Sequence, residues 1–358
     1  MKRKIQTAFL IFPNSIFPDL KINNHDKVFI IEDPFFFKPK DYSISKIKLA
    51  YFRASMRYFY DHLQHPNKEY IEYSSVKNYD FLYGYEATFY DTVNRGLNDK
   101  LASLVDSNRL PTPLFLMSDS ECIAYFRKSN KRFVQQHFFE YVKGKMGVLK
   151  GVESKDTENR KALPKNHKFK FSLPRFDKEE GKVYYQEARE YIDTHPVFKK
   201  NLGSTEQVHR YPITQQASQA HFLQFLDDKV ALFGPYEDAV DKKESILFHS
   251  FISVPLNVGL LSPQWVLDTI MGRTDIPINS LEGFVRQLIG WREYQRGIYV
   301  SFPDLAQSNH FGHSRKLTWE YWNGEKQIGI PILDNEIQKI LILTYQRHFY
   351  LLRLGVDF

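Results

Sequence analysis

Cysteine is almost missing from this chain: Cys122 stands alone among 358 residues. A single thiol closes no disulfide within its own chain, and it cannot by itself supply the thiolates of a structural zinc site or an iron–sulfur cluster. A reducing, cytoplasmic setting is the expectation. Long apolar runs are missing too. No stretch approaches the roughly 18–20 residues of a membrane-spanning helix, so no membrane partner is expected. The opening MKRKIQTAFLIFPNSIF has the basic tip and apolar run of a short secretory signal. The run ends early and lacks a small-residue cleavage site, so it reads as the first strand of a sheet. No internal repeat or low-complexity tract stands out.

What is present is globular material rich in rings. Hydrophobic residues make up 42% and charged residues 25%, which separates the chain from disordered sequences. The 30 Phe and 22 Tyr fit a large aromatic core or ring-lined clefts. The length allows two domains, each with its own core. A net charge of +7 is compatible with a polyanionic partner, without requiring one.

Residues 7–12 (TAFLIF) and 27–31 (KVFII) are continuous apolar runs followed by turn-forming or acidic residues. Such runs suit central strands of a parallel sheet covered on both faces. The spacing of Ile47, Tyr51, Ala54, Met56, Phe59 and Leu63 predicts a helix over 44–63, and 69–74 returns as a third strand. A helix over 90–104 and a strand over 113–117 complete the alternation of an open α/β domain spanning residues 1–135. A lysine-rich stretch with little periodicity, 136–182, is read as a solvated connector. From 183 to 358 the pattern is helical. Thr214 is placed to cap a helix whose inner stripe includes Ala217, His221, Leu223, Phe225, Leu226 and Val230, and further helices are expected at 244–255, 263–271, 280–296 and 331–354.

Three constellations carry chemistry. His249, Ser250, Ser253 and Asn257 interrupt an apolar run, and 249, 253 and 257 recur every four residues, a spacing that shares one helix face. Polar groups inside an apolar domain need partners. The diphosphate and ribose of a dinucleotide would serve, as would capping and back-bonding of the helices around Pro255. Next, GWREYQRG at 290–297 sets Arg292 and Arg296 on one face with Glu293 beside Arg292. Arg292 suits a phosphate, while an ion-pair network tying helices together is the alternative. Finally, Arg315 and Lys316 precede the aromatic run Trp319, Tyr321 and Trp322, a composition suited to backbone phosphates and unstacked bases or to a solvated loop over core tryptophans. Glu32 and Asp33, directly after the second strand, lie where open α/β sheets take ligands, and read equally well as an acidic surface turn.

The ordered series KLAYFRASMRYFYDHL (48–63), HFFEYVKGKMGVL (137–149), SKDTENRKALP (154–164), ALFGPYEDAV (231–240), LFHSFISVPLNVGLLSP (247–263), GWREYQRG (290–297), NHFGHSRKLTWEYWNG (309–324) and GIPILDNEI (329–337) resembles the photolyase/cryptochrome family. The likeness is to its bacterial branch of iron–sulfur and (6-4) photolyases. It implies an α/β fold in which an N-terminal open parallel-sheet domain of the antenna-binding type precedes an all-helical flavin-binding domain. It also implies non-covalent FAD, a ribolumazine-type antenna and damaged DNA as partner, with blue-light-driven electron transfer from reduced FAD to a pyrimidine dimer. His249, Ser250, Ser253, Asn257, Arg292 and Glu293 would then serve the cofactor and Arg296, Arg315 and Lys316 the DNA. Trp319 and Trp322 would relay electrons, and His348 would donate a proton.

The chain also departs from the family. The iron–sulfur members need four cysteines in the helical domain, and this chain has none there, so no cluster is expected. The final TYQRHFYLLRLGVDF stands where the family resembles Tyr–Ala–His–His–Ile–x–Arg–Leu–Met; His348 matches the second histidine and Arg347 replaces the first. The helical domain reads as truncated at Phe358. A complementary C-terminal polypeptide completing it, a cryptochrome-like light sensor and an inactive truncated remnant are the alternatives to a complete enzyme.

Overall fold

The structure, a computed structural model, describes residues 6–309 except 23, 41, 129–132, 177–180, 240, 242, 243 and 245, and beyond them residues 312, 314, 318–322, 325–331, 333, 334, 337 and 338. The strands are β1 (Gln6–Ile11), β2 (Lys27–Ile31), β3 (Lys68–Ile71), β4 (Tyr85–Tyr90) and β5 (Ser107–Leu110). The helices in the first third are α1 (Pro34–Phe37), α2 (Lys46–His62), α3 (Arg95–Leu104), α4 (Asp119–Lys128) and α5 (Gln135–Met146). They continue with α6 (Lys182–Thr194), α7 (Gln215–Asp228), α8 (Phe233–Tyr236), α9 (Ser253–Val258) and α10 (Pro263–Met271). The last are α11 (Ile278–Val285), α12 (Arg292–Ser301) and α13 (Trp319–Trp322). Between α11 and α12 the chain forms a π-helix, Arg286–Trp291. Among the described residues no helix is long and apolar enough to cross a membrane.

The chain divides into two compact units. The first comprises Met1–Leu110, Pro174–Thr214 and Phe311–Phe358; the second comprises Pro111–Leu173 and Gln215–His310. This grouping runs across the sequence boundaries expected at 135 and 182.

The first unit is built on a five-stranded sheet ordered β3-β2-β1-β4-β5 with every pairing parallel. Ala8 to Ile11 have no exposed surface, as the unbroken apolar run of a doubly covered strand requires. The expected first two strands and first long helix appear at nearly their expected limits. The expected helix over 90–104 does not begin at Tyr90, which ends β4. It starts at Arg95, where the Asn94 side chain accepts the Leu97 N–H at 3.1 Å and caps α3. The strand expected at 113–117 does not form; the fifth strand is the polar Ser107–Leu110, after which Pro111 and Pro113 offer no backbone donor for a ladder.

α6, the start of the expected helical domain, belongs to this first unit. Arg53 of α2 is 2% exposed and donates from Nε and Nη2 to Glu187 of α6 at 2.9 and 2.6 Å. Its Nη1 donates to the fully buried Glu32 at 2.8 Å, and its guanidinium lies 3.4 Å from the ring centre of Tyr191.

The second unit is helical around rings: Phe126, Phe138, Phe139, Phe222, Phe225, Phe233 and Phe284 form one buried cluster. α10 occupies its expected span, with the Ser262 hydroxyl accepting the Trp265 N–H and Pro263 opening the helix. On α7 the buried residues are Ser218, Phe222, Phe225 and Leu226, whereas Leu223, expected to face inward, is 42% exposed. The helix expected over 244–255 does not form. Leu247 and Phe251 adopt left-handed φ of 36° and 60°, breaking the run, and α9 begins only at Ser253.

Candidate functional site

The candidate site lies in the second unit, where α9 meets the start of α12. Because α9 begins at Ser253, the four-residue row does not extend back to His249. His249 and Ser250 lie half-buried on the preceding turn, and the Ser250 backbone bonds the ring of His221, whose burial lowers its pKa. Ser253 and Asn257 do share a face of α9, and both are exposed.

Arg292 reaches this face. Its Nη1 donates to Asn257 Oδ1 at 2.7 Å, while Nε and Nη2 donate to the Leu114 carbonyl at 3.3 Å each and Nη2 also reaches the Leu256 carbonyl at 3.5 Å. Every one of these acceptors is neutral. Burial pulls the guanidinium down to about 10, with neighbouring Glu293 opposing that shift, so it remains a cation at neutral pH. A half-buried cation held by neutral dipoles, beside an exposed hydroxyl and an exposed amide, is chemically suited to receive an anion.

The rest of GWREYQRG holds the scaffold. Glu293 is fully buried and accepts the N–H groups of Leu116 and Met117, one on each oxygen, at 3.0 Å. Burial nevertheless pushes its carboxyl up to about 7. Arg296, 5% exposed, grips Asp119 through Nε and Nη2 at 3.1 and 3.0 Å. Phe115 lies near both guanidiniums, its ring centre 5.0 Å from Arg292 and 5.2 Å from Arg296. The two glycines mark close approaches: a Cβ on Gly290 would fall 2.6 Å from Gln135 Nε2, and one on Gly297 2.6 Å from Phe126 Cε2. The π-helix ends at Trp291, which is 43% exposed, immediately before Arg292; such π turns are frequent at functional sites.

The strap Leu114–Met117 and its anchors are functional neighbours that sequence reasoning missed. One signal was legible: Ser118 and Glu121 form a reciprocal capping box at the start of α4, Ser118 N–H to Glu121 Oε2 at 2.9 Å and Glu121 N–H to Ser118 Oγ at 3.3 Å. Cys122 is buried on the same helix, its thiol pushed up to about 12 by burial and the nearby carboxylates.

The Asp156–Asn159 motif serves packing. Asn159 and Asn279 bond reciprocally at 3.1 Å, over Gly234, where a Cβ would sit 2.5 Å from Asn159 Oδ1. Arg286 pairs with Asp156 at 2.8 Å and with Glu282 at 3.1 Å. In the first unit Glu32 and Asp33 are fully buried, so they form no surface turn. Glu32 accepts from Arg53, the Tyr70 hydroxyl and Tyr73 N–H; Asp33 accepts from Phe35 N–H and the Tyr79 hydroxyl. Every carboxylate oxygen of the pair is therefore bonded inside the unit. Trp319 and Trp322 lie on the short helix α13. Arg315, Lys316 and His348 lie outside the described residues.

The chain is 30% identical over 257 residues to a (6-4) photolyase of Agrobacterium fabrum, covering 68% of this chain and 48% of that protein. It thus spans about half the length of that relative. Two uncharacterized proteins of Acanthamoeba polyphaga mimivirus are 38% and 24% identical over 98 and 184 residues, covering 26% and 43% of this chain and 74% and 94% of their own lengths. A crystal structure of a bacterial class III photolyase from Agrobacterium tumefaciens shares the fold, with a TM-score of 0.56 at 14% identity over 95% of this chain and 70% of that one. Residues 9–209 match the family model for deoxyribodipyrimidine photo-lyase-related proteins, and the chain belongs to that family.

Proposed function

We propose that this chain is a photolyase-related flavoprotein that holds FAD non-covalently in its second unit. In this reading the diphosphate and ribose lie against Ser253, Asn257 and Arg292, with His249 and Ser250 at the rim. FAD supplies light-driven one-electron chemistry, and the protein's own groups bind and orient it. The substrate is a pyrimidine dimer in damaged DNA, and the roles the resemblance implies are kept: Arg315 and Lys316 for the DNA, Trp319 and Trp322 for electron relay and His348 for proton donation.

The observation that carries the reading is Arg292, a half-buried cation whose described acceptors are all neutral. The reading assigns no antenna contact to Glu32 or Asp33, whose oxygens are occupied within the first unit.

Titration of the purified chain with FAD, followed by flavin absorption and fluorescence, tests it directly. Saturable binding weakened by Arg292→Gln is expected, and a folded chain that binds no FAD refutes the flavin site. Blue-light conversion of a dimer-containing oligonucleotide then separates repair from light sensing. A cryptochrome-like sensor is the second reading, favoured by Arg296: it is 5% exposed and bound to Asp119, which leaves it poorly available to DNA.

A further inference from the structure

The described hydrogen bonds of Glu293 reach Leu116 and Met117 rather than α9, and its role follows from what it holds. Its two oxygens grip consecutive backbone N–H groups, Leu116 and Met117, both at 3.0 Å. A carboxylate bridging adjacent amides fixes both the position and the direction of that short segment. Two residues earlier on the same segment, the Leu114 carbonyl accepts Arg292 Nε and Nη2 at 3.3 Å. These bonds occupy the Nε edge of the guanidinium and set its rotation, which directs Nη1 to Asn257. Further along, the Arg296–Asp119 pair pins the entry to α4, so the strap is held at both its middle and its end. Glu293 and Arg292 are sequence neighbours, yet the geometry connects them through residues some 177 positions away.

We propose that Glu293 is a positioning residue. By clamping the Leu114–Met117 strap it aims Arg292 at the anionic diphosphate of a flavin dinucleotide, and so sets affinity for that half of the ligand without touching it. The proposal rests on the flavin reading above. It predicts a ligand-specific effect: the diphosphate senses Glu293, and the isoalloxazine does not.

The test measures binding of inorganic pyrophosphate, FAD and riboflavin to the full chain, to Glu293→Gln, to Arg292→Gln and to the double variant. Glu293→Gln keeps one acceptor oxygen and loses the second together with the charge. Affinity for pyrophosphate and FAD is expected to fall about tenfold, equivalent to about 1.4 kcal/mol, with riboflavin unchanged. In the Arg292→Gln background the Glu293 substitution should cause no further loss, because its effect is transmitted through the guanidinium. A merely structural role would weaken riboflavin and pyrophosphate alike, and additive losses would show that Arg292 is not the intermediary; either result overturns the proposal, as does unchanged pyrophosphate affinity. If Glu293→Gln does not fold, Glu293→Asp, which keeps the charge and shortens the clamp, carries the same comparison. Wild-type chain that binds pyrophosphate but neither flavin would sink the cofactor reading while leaving the Glu293–Arg292 coupling measurable on the anion. Wild-type chain that binds none of the three ligands sinks both.

Discussion

Replacing Arg53 by methionine offers the sharpest test of how the first unit is held together. The guanidinium is 2% exposed and Glu32 has no exposed surface, so the substitution leaves a carboxylate buried without its cation. The outer partners, Glu187 and Glu72, have 43% and 37% of their side-chain surface exposed, and such pairs contribute about 1 kcal/mol or less each. The loss is therefore dominated by Glu32, and breaking one side of a buried pair costs about 3–5 kcal/mol. The lower end is expected, because the Tyr70 hydroxyl and the Tyr73 N–H continue to donate to Glu32 at 2.8 and 3.0 Å. At about 2–4 °C per kcal/mol this corresponds to a fall of roughly 6–12 °C in the Tm of the transition that reports on this unit. Burial already raises the Glu32 pKa against the opposing pull of Arg53, and removing Arg53 raises it further. A raised carboxyl contributes stability below its unfolded pKa and loses it as pH rises through the folded value. The deficit of Arg53→Met should thus be largest at about pH 8 and shrink toward about pH 5, and Glu32→Gln in the same chain should recover most of it. Urea unfolding followed by circular dichroism at both pH values checks this. A deficit under about 1 kcal/mol at the higher pH, or one independent of pH, would refute the reasoning.

Gly297→Ala places a methyl 2.6 Å from Phe126 Cε2, so calorimetry should show a destabilisation of about 1–3 kcal/mol, relieved in part by Phe126→Leu. Glu293 and Glu237 are both pushed up to about 7, chiefly by burial, so stability of the second unit should be fullest in mild acid and decline as pH rises through that value. Glu293→Gln should remove part of this slope in an unfolding series across neutral pH, leaving the share that belongs to Glu237. Asn159→Leu leaves buried Asn279 without its reciprocal partner, and a loss of about 1–3 kcal/mol is expected by denaturant titration. Ser118→Ala opens the capping box of α4 and should cost about 1 kcal/mol by the same measurement.

Where one force dominated, the elements of this fold were readable from the sequence. β1 and β2 are buried on both faces, as their unbroken apolar runs of branched and aromatic residues indicate. α10 carries its own boundary signals in Ser262 and Pro263. The errors fall where local pattern and backbone geometry part company. The spacing of apolar residues over 244–255 suits a helix, but Leu247 and Phe251 take left-handed φ that nothing in their residue type announces. β5 is short and polar at the edge of the sheet, so alternation does not reveal it, while the apolar Leu114–Met117 stretch looks like a strand and is instead claimed by Glu293. α6 belongs with the sheet, where Arg53 meets Glu187 across 134 positions and Tyr184 meets Asp61, a tertiary choice invisible to any local window.

The site was legible by residue type and far less so by role. Asn257 and Arg292 are joined by a hydrogen bond and Ser253 lies one turn before Asn257, yet two of the three charged residues of GWREYQRG are turned inward. The reason is that a charged side chain on a helix that is buried on one side has two uses, and sequence spacing does not distinguish them. Glu293 and Arg296 lie three residues apart, so they share the buried face of α12, where Glu293 finds backbone amides and Arg296 finds Asp119. Arg292, one turn before Arg296 and beside the same Phe115 ring, borders on the π-helix, and its described acceptors are all neutral whereas Arg296 holds Asp119. An anion approaching the face of Ser253 and Asn257 therefore meets one cation that other groups already hold in place, so its binding need not supply the cost of ordering that side chain.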